Sequence, residues 1–531
     1  MSLPRTAYFC MEMAIDQSLH TYSGGLGFLA GSHMRSAGKL DLPMVGVTML
    51  WAYGYGDQTI EHDKVKINYV KREYDFLQDT GVTVDVTIFG RNVKVRGYFL
   101  PPEKFSTVPI YLVTTDIPEN SEEDRALCNK LYDGEQRTRI AQEIILGVGG
   151  YRLLKALGVP VEVLHLNEGH ALPAVFDMLA DHHGNLHDVR QKVVFTTHTP
   201  VAAGNESHPS QLLFDAGFFV HTPREQAAEW GGDEFSLTVA ALRMSRAANG
   251  VSQLHGVVAN NMWQWVDGRC PINAITNACD MDYWQDPRLK GNLSDDDLLR
   301  VKKEMKRELF DYVAQHTGKQ FDPNKLTIVW ARRFTGYKRS TLFFRNFERA
   351  KRLFDEGKIQ MLYAGKFHPK DTVGQEQFNE VIGLSKQIEH LAILPGYELE
   401  LSGLLKRGSD VWLNTPTRPL EASGTSGMSA NMNGTIHASI FDGWAVEGTY
   451  DGLNGFVIGG TTDYDSDEVR NQYDYESMMD IVENRIIPTY YDRPQEWAEL
   501  MRHAMLTAAS YFDSSRMAIE YFNRLYQSLR I

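Results

Sequence analysis

The chain has 531 residues, of which 43% are hydrophobic and 23% charged, and its formal net charge is −14. This length predicts two or more domains, and the composition is that of a globular protein with large cores. The acidic balance argues against nucleic acid or an anionic membrane as a partner. We find neither a signal-peptide pattern nor an apolar run of about 18 residues, so we expect a cytoplasmic protein.

The cysteines and histidines give no sign of a metal site. The cysteines are Cys10, Cys128, Cys270 and Cys279, and they form no CxxC pair. Buried, reduced thiols are therefore expected. The sequence has no HExxH motif, no Walker-type phosphate loop and no metal-ligand cysteine spacing, so we expect no bound metal.

A glycine-rich segment near the amino terminus, YSGGLGFLAGS (22–32), precedes a helix-like stretch. Backbone N–H groups at Gly24 and Gly25 are able to approach an anion closely at such a helix start. A plain tight turn is the alternative reading of the same residues.

The next clear elements are a helix around 136–157 and two apolar strands. The strands, VEVLHLNEGH (161–170) and KVVFTTHTPVAAG (192–204), both carry polar residues at their carboxyl ends. In an open parallel sheet those ends border the ligand site. Asn167, His170 and His198 are therefore candidate site residues.

A second domain is predicted to begin after Trp284. Ser294 and Asp297 form a capping-box pattern ahead of a long helix. From 327 onwards strands alternate with helices over short connectors, which predicts a doubly wound parallel sheet. Two such domains facing each other would form a deep cleft, a favoured place for a small-molecule site.

Basic side chains follow two strands of this second domain. WARRFTGYKR supplies Arg333 and Lys338, which are suited to clamp a phosphate, although a solvated basic helix start is the alternative. YAGKFHPKD supplies Lys366 and His368 at the corresponding place. The later stretch EASGTSGMSANMNG (421–434) adds Glu421, whose carboxylate is able to accept hydrogen bonds from sugar hydroxyls.

Several segments, taken in order, resemble the α-glucan phosphorylases, in particular the short bacterial and archaeal branch. The matching segments are AYFCMEMAID, YSGGLGFLAG, LPMVGVTML, LNEGHA, TTHTPVAAG, VSQLHG, ITNACDMDYW, ARRFTGYKR, YAGKFHPKD, DVWLNTPTRPLEASGTSGM and NGFVIG. The resemblance implies the α/β GT-B architecture, with two Rossmann-like domains and an interdomain cleft. We place these domains at 1–285 and 286–510, with a C-terminal helix, 511–531, crossing back to the first.

The resemblance also implies roles for individual residues. It assigns catalytic roles to His198, Arg333, Lys338 and Glu421, with Arg333 and Lys338 as the phosphate-holding pair. The sugar and phosphate contacts that it implies are Gly24, Gly25, Asn277, Tyr337, Ser423, Gly424 and Thr425. Ala278 stands where the family commonly has glycine.

The main departure from the family is Ser429. It falls where the family has the lysine that forms the imine with pyridoxal phosphate. Serine cannot form an imine, so we expect no cofactor. We therefore predict a retaining hexosyltransferase that takes a nucleoside-diphosphate sugar, whose leaving phosphate accepts the proton of the acceptor on the same face.

Two alternatives stay open. The first is a phosphorylase that makes glucose 1-phosphate with pyridoxal phosphate held without a covalent bond. The second is a glucan-binding protein without catalysis. The expected partners are a nucleotide sugar or sugar phosphate and a glucan or other sugar acceptor, and the family often forms homodimers.

Overall fold

The computed structural model describes residues 3–201, 204–462 and 464–527. The chain divides into two compact units. Unit 1 consists of the described residues of Met1–Gly56, Tyr69–Asn277 and Ser514–Ile531, and unit 2 of those of Asp57–Asn68 and Ala278–Asp513. No helix in the described ranges is both long enough and apolar enough to span a membrane.

The strands of both units are short and mostly buried. In chain order the described residues form β1 (Thr6–Phe9), β2 (Met44–Met49), β3 (Asp57–Glu61), β4 (Lys64–Asn68), β5 (Gln78–Ile88), β6 (Arg91–Leu100), β7 (Ile110–Thr114), β8 (Val163–Asn167), β9 (Val193–Thr196), β10 (Ser207–Pro209), β11 (Glu234–Ser236), β12 (Ala247–Gly250), β13 (Ile272–Ala274), β14 (Leu326–Ala331), β15 (Ile359–Ala364), β16 (Leu391–Leu394), β17 (Val411–Asn414), β18 (Ile436–Ile440) and β19 (Gly455–Ile458).

Helices connect most of these strands. The described residues form α1 (Gly25–Lys39), α2 (Pro102–Phe105), α3 (Glu122–Arg125), α4 (Gln136–Ile144), α5 (Gly150–Ala156), α6 (Pro173–Asp181), α7 (Leu186–Arg190), α8 (Ser210–Ala216), α9 (Arg224–Gly231), α10 (Leu237–Met244), α11 (Gln253–Met262), α12 (Met281–Trp284), α13 (Asp295–Thr317), α14 (Phe347–Asp355), α15 (Thr372–Gln387), α16 (Leu399–Gly408), α17 (Thr425–Asn431), α18 (Ala445–Gly448), α19 (Asp467–Ile481), α20 (Ile487–Asp492), α21 (Pro494–Tyr511) and α22 (Ser514–Tyr521).

Unit 1 is built on a large, mainly parallel sheet. Its strand order is β13-β12-β9-β8-β1-β2-β7-β6-β5, and β6 runs antiparallel to both of its neighbours. From β8 the chain winds outward through β9, β12 and β13, whereas on the other side it passes from β2 to the edge strand β5 and returns through β6 to β7. Because β1 and β8 pair in parallel, their carboxyl ends meet at the point where the winding reverses.

Unit 2 is built on a six-stranded parallel sheet with the order β16-β15-β14-β17-β18-β19. The winding reverses between β14 and β17, which pair in parallel through Ile328 and Val411. Every residue of β14 is buried, as expected for a strand covered on both faces. The two parallel sheets with flanking helices confirm the α/β GT-B class expected from the sequence.

The local predictions agree with these elements in most places. The Ser294 hydroxyl accepts a hydrogen bond of 3.1 Å from the Asp297 N–H at the start of α13, as the capping pattern predicted. The four cysteines are buried and free, as expected. The helix predicted directly after β14 differs, because tight turns fill the connection and α14 begins only at Phe347, capped by Asn346.

The unit boundaries differ from the predicted domain limits in three places, one of which is the end of unit 2 at Asp513 rather than at 510. Unit 2 begins at Ala278 rather than at 286, because the Cys279 N–H donates to the Phe512 carbonyl at 3.0 Å. The hairpin β3–β4 also belongs to unit 2, although its neighbours in sequence lie in unit 1. The buried amide of Gln58 explains this, since its Nε2 donates to the Phe367 carbonyl at 2.7 Å and its Oε1 accepts from the Phe367 N–H at 3.2 Å.

The carboxyl-terminal helix α22 returns to unit 1, where it packs on α1. The hydroxyls of Ser36 and Ser514 lie 2.6 Å apart between the two helices. Beyond the helix, the Tyr526 hydroxyl lies 2.6 Å from Nδ1 of His165, and Arg246 donates to the Leu525 carbonyl at 2.6 Å. These buried polar contacts tie the end of the chain to the central strands of unit 1.

Candidate functional site

Four basic and acidic side chains of unit 2 lie in the loops after β14 and β17, the two strands between which the winding of the sheet reverses. The loop after β14 carries Arg332, Arg333 and Lys338, and the loop after β17 carries Glu421. Since β14 and β17 are adjacent and parallel, both loops leave the same edge of the sheet.

Glu421 is the centre of this group. Its carboxylate is buried and accepts hydrogen bonds from Nζ of Lys338 and from Nη1 of Arg332, the latter at 3.4 Å. Burial by itself would raise the pKa of Glu421, but the positive charges of Lys338 and Arg332 outweigh it and lower that pKa. The carboxylate is therefore ionised and fixed between two cations.

Arg333 has a different environment from Arg332. Its side chain is exposed and makes no hydrogen bond or ion pair with any residue that the structure describes. Its charge nevertheless contributes to the lowered pKa of Glu421. The sequence pointed to Arg333 as the partner of Lys338, whereas Arg332 is the arginine that contacts Glu421, and Arg333 stays available for a ligand.

Several buried polar atoms beside Glu421 lack a partner within the described ranges. They include Oγ of Ser423 and Oδ1 of Asn414. Gly424, next in the chain, has φ of +85°, a conformation that favours glycine, and α17 begins at Thr425. Buried polar groups normally find hydrogen bonds, so these atoms suit the hydroxyl groups of a sugar.

Asp442 supports this group from the next loop, after β18. It is buried and accepts the Glu421 N–H at 2.9 Å and the Gly443 N–H at 2.8 Å. Burial raises its pKa to about 7. The sequence analysis did not identify Asp442, although an acidic residue directly after a predicted strand was a usable signal.

The second basic cluster is partly neutralised. Lys366 is buried and donates to the carboxylate of Glu398 at 2.8 Å. Nδ1 of His368 accepts the Lys370 N–H at 3.2 Å. Tyr337 lies by the first cluster, where the centroid of its ring is 4.7 Å from Nζ of Lys338.

Ser429 lies inside α17 and is almost fully buried. Its hydroxyl is 3.2 Å from the carbonyl oxygens of both Thr425 and Ser426, so it satisfies itself within its own helix. The serine side chain has a hydroxyl and no amine, so position 429 cannot form an imine with an aldehyde.

In unit 1, Asn167 and His198 form a direct pair at the carboxyl ends of β8 and β9. Oδ1 of Asn167 lies 2.6 Å from Nε2 of His198. Nδ2 of Asn167 donates to the Cys10 thiol at 3.2 Å. Burial lowers the pKa of His198 to about 3. The imidazole is therefore neutral near pH 7 and acts as a hydrogen-bonding group.

Glu168 is a buried acid that the sequence analysis missed. Its carboxylate accepts the His198 N–H and the Thr199 hydroxyl, the latter at 3.2 Å. Its φ of +65° is unusual for a residue other than glycine, and burial raises its pKa to about 7. Its place directly after Asn167 was the only sequence signal.

The glycine loop of unit 1 is held by another missed carboxylate, Glu12. This buried side chain accepts the Ser23 N–H at 2.6 Å, the Gly24 N–H at 3.1 Å and the Tyr132 hydroxyl at 2.8 Å. The Gly24 amide predicted to face an anion is thus occupied by a carboxylate, while Gly25 opens α1.

The other predicted site residues of unit 1, His170 and Asn277, are largely shielded from solvent. Burial lowers the pKa of His170 to about 3, and its ring centroid lies 5.9 Å from that of Tyr132. Asn277 is buried, its N–H donates to the Val251 carbonyl at 3.0 Å, and its Oδ1 has no partner within the described ranges. Asn277 therefore resembles Asn414 and Ser423 in offering an unused polar atom.

Comparison with known proteins identifies the family. A family model described as carbohydrate phosphorylase matches residues 281–493. The maltodextrin phosphorylase of Thermococcus litoralis is 34% identical over 98% of this chain and 70% of its own length. The chain belongs to the carbohydrate phosphorylase family. The glycogen phosphorylase of Mycobacterium tuberculosis is 32% identical over the same shares, and an uncharacterized protein of Methanocaldococcus jannaschii is 45% identical over 98% of this chain and 99% of its own.

Membership of this family of glycosyltransferases agrees with the resemblance found in the sequence. The stretch matched by the family model lies wholly within unit 2, which carries Arg332, Lys338, Glu421 and Ser429. The identity to the two phosphorylases extends over nearly all of this chain, and so includes unit 1.

Proposed function

We propose that the protein transfers a glucosyl unit between an α-glucan and a phosphate group, with retention at the anomeric carbon. The observation that carries this proposal is the group around Glu421, in which the buried Arg332 and the partly buried Lys338 bind one carboxylate and Arg333 stays exposed beside them. Three cations against one carboxylate leave positive charge for a phosphate ester.

The cations would act mainly on the leaving group. As the glucosyl bond breaks, negative charge grows on the phosphate oxygens, and fixed cations stabilise it without reorganising. Arginine matches phosphate with a planar pair of donors, whereas lysine acts as a point charge. Arg333 is the side chain best placed for this, since it has no competing partner among the described residues.

The sugar would be held by neutral and anionic polar groups. In unit 2 these are the unpartnered buried atoms of Asn414 and Ser423, together with the carboxylate of Glu421. Neutral and anionic acceptors of this kind bind hydroxyl groups and leave the positive charge to the phosphate.

Glucose 1-phosphate is the first candidate donor, by analogy with the relatives named phosphorylases. The family uses pyridoxal phosphate, whose phosphate supports the substrate phosphate when the cofactor is bound. Ser429 provides no amine for an imine, so pyridoxal phosphate would have to be held without a covalent bond.

A nucleoside-diphosphate sugar is the second candidate, and Ser429 favours it. Its second phosphate would take the place of the cofactor phosphate near Arg332 and Lys338, and no imine would be needed. The sequence prediction of a cofactor-free enzyme stays a prediction under this candidate.

Two assays separate the candidates. Purified protein is incubated with maltodextrin and inorganic phosphate, with and without pyridoxal phosphate, and glucose 1-phosphate is measured. A parallel set contains UDP-, ADP- or GDP-glucose with maltodextrin, and nucleoside diphosphate is measured. Turnover in the first set that depends on pyridoxal phosphate would support glucose 1-phosphate as the donor, and turnover in the second set would support the nucleoside-diphosphate sugar. Glucan binding without turnover in either set would overturn the proposed function and leave a binding protein.

A further inference from the structure

Unit 1 contains four polar side chains that the proposed sugar and phosphate contacts do not use. Arg139 and Glu143 lie one turn apart on α4, Glu206 directly precedes β10, and His208 is within β10. One carboxylate oxygen from each glutamate and one imidazole nitrogen of His208 all lie within 4.8 Å of one another. Three ligand atoms at this spacing are close enough to surround a single metal ion.

Glu143 needs a partner that its neighbours do not supply. Its side chain is 0% exposed, and neither carboxylate oxygen accepts a hydrogen bond within the described ranges. Nε of Arg139 lies 3.7 Å from Oε1 of Glu143, which makes an ion pair but is too long for a hydrogen bond. A buried carboxylate without hydrogen bonds is costly, so these oxygens require a cation or a proton.

Arg139 does not neutralise the group, because its hydrogen bonds go to Glu206. Nη2 of Arg139 donates to Oε2 of Glu206 at 3.0 Å, and Nε donates to Oε1 at 3.2 Å. Two carboxylates therefore face one guanidinium, and one negative charge is left over. Burial and the charge of Glu206 raise the pKa of Glu143 well above its usual range, in spite of Arg139.

The surroundings of Arg139 add no second cation that would act on Glu143. The guanidinium carbon lies 4.8 Å from the centroid of the Tyr132 ring. The charge of Arg139 helps to lower the pKa of His170, which burial brings to about 3, so this imidazole is neutral near pH 7. The excess negative charge thus stays with the two glutamates.

His208 is held as a metal-binding imidazole would be. Its Nε2 lies 3.1 Å from Oε1 of Glu206, and its Nδ1 lies 3.0 Å from Nε2 of the Gln136 amide. Turning that amide over lets its oxygen accept a hydrogen bond from Nδ1 and frees the lone pair of Nε2 for an ion. Gln136 is exposed and the Glu206 side chain is 26% exposed, so an ion reaches the group from solvent.

We propose that Glu143, Glu206 and His208 bind one divalent transition-metal ion, of which Zn²⁺ is the type, and that this ion ties α4 to β10. Two carboxylates and an imidazole suit Zn²⁺, whereas Mg²⁺ and Ca²⁺ prefer sites made of oxygen ligands. The site does not depend on the proposed glucosyl transfer. The sequence motifs predicted no bound metal because they require ligands close together in the chain, and here the ligands come from two separate segments.

A proton is the competing occupant of the group. Glu143 and Glu206 are near enough to share a hydrogen bond when Glu143 is protonated. Such a pair would satisfy the buried carboxyl group without a metal. The amount of metal that the wild-type chain binds, and the residues on which binding depends, separate the two occupants.

The test is zinc binding by the full chain. Wild-type protein is dialysed against a chelator and then against Zn²⁺ at pH 7.5, and the metal content is measured by atomic emission. We expect about one zinc ion per chain at saturation, and a melting temperature about 3 °C or more above that of the metal-free protein. Mg²⁺ at the same concentration should not change the melting temperature.

Three variants locate the ion. Glu143→Gln and His208→Gln should each lower the affinity for zinc at least about tenfold, because each removes a ligand. Glu229→Gln, which changes an exposed glutamate of α9, is the matched control and should bind zinc as the wild type does. Glu143→Gln should remain folded, since a neutral amide replaces a carboxyl group that is uncharged without metal, and its metal-free melting temperature should match that of the wild type.

Two results would overturn the inference. Wild-type protein that takes up no zinc and shows no change in melting temperature would leave a shared proton only. Zinc binding that persists undiminished in Glu143→Gln and His208→Gln would place the ion on other residues of the chain.

Discussion

Glu421 and Lys338 form a buried ion pair at the carboxyl edge of the sheet in unit 2, with Arg332 contacting the same carboxylate oxygen at 3.4 Å. The pair joins two loops that are 83 residues apart in the chain. The ion pair places a carboxylate beside the cations that are proposed to bind a phosphate group. Removing that carboxylate should therefore change both the stability of the protein and its affinity for phosphate.

Replacing Glu421 by alanine should destabilise the protein and make it responsive to anions. Lys338 and Arg332 would be left without their carboxylate, and removing one partner of a buried ion pair costs about 3 kcal/mol. We expect the free energy of unfolding in urea to fall by about this amount, and phosphate to restore a large part of it.

Glu61→Ala is the matched control, because Glu61 pairs with Lys66 at 3.1 Å and both side chains are about half exposed. Its loss should stay below about 1 kcal/mol, with no response to phosphate. Equal losses in the two variants, or no recovery of Glu421→Ala with phosphate, would show that the cations do not form an anion site.

Arg333→Met should weaken the use of phosphate-bearing donors without affecting the fold. Arg333 has no partner among the described residues, so no internal contact is lost. The loss of one charge-assisted hydrogen bond should raise the half-saturating donor concentration about tenfold. Steady-state kinetics and the melting temperature measure both effects. Arg300→Met, which removes an exposed arginine of α13, serves as the control, and a similar change in that variant would contradict the prediction.

Stability should fall in acid because buried histidines must become charged. Burial lowers the pKa of His33 from 6.5 to about 3. Between these two values the unfolded chain binds a proton that the folded chain excludes, so stability decreases as the pH falls, by about 1.4 kcal/mol per pH unit.

In the variant His33→Gln the slope of stability against pH should become shallower, by up to the contribution of one bound proton. Urea unfolding at several values between pH 6.5 and 4 gives the slope of stability against pH. His187→Gln, at an exposed position, is the control variant measured alongside. An unaltered slope in His33→Gln would mean that His33 titrates alike in the folded and unfolded states.

The buried pair Lys306–Asp410 should show strong coupling. Nζ of Lys306 donates to Asp410, and the same carboxylate accepts the Thr327 N–H at 2.8 Å beside β14. Either Lys306→Met or Asp410→Leu alone should cost about 3–5 kcal/mol, because it leaves a buried charge unpaired.

The double variant should lose clearly less than the sum of the two single variants, since no unpaired charge is left. Urea unfolding of the four proteins measures the coupling. Strictly additive losses would show that the two side chains do not depend on each other.

Much of the fold could be predicted because its signals are local. Apolar runs ending in polar residues marked β8, β14 and β17, and the Ser294 pattern marked the start of α13. The hairpin β3–β4 escaped prediction because the amide of Gln58, which attaches it to unit 2, bonds to Phe367, 309 residues away.

By itself the sequence determined the α/β class, the family and the absence of a lysine at 429, because these depend on local periodicity and on residue identity. Only the tertiary structure decided that Arg332 rather than Arg333 contacts Glu421, that Glu12 holds the glycine loop, and that Lys406 lies against Trp284. Such contacts depend on how strands and helices that are distant in the chain pack together, and the spacing of residues along the sequence does not predict that packing.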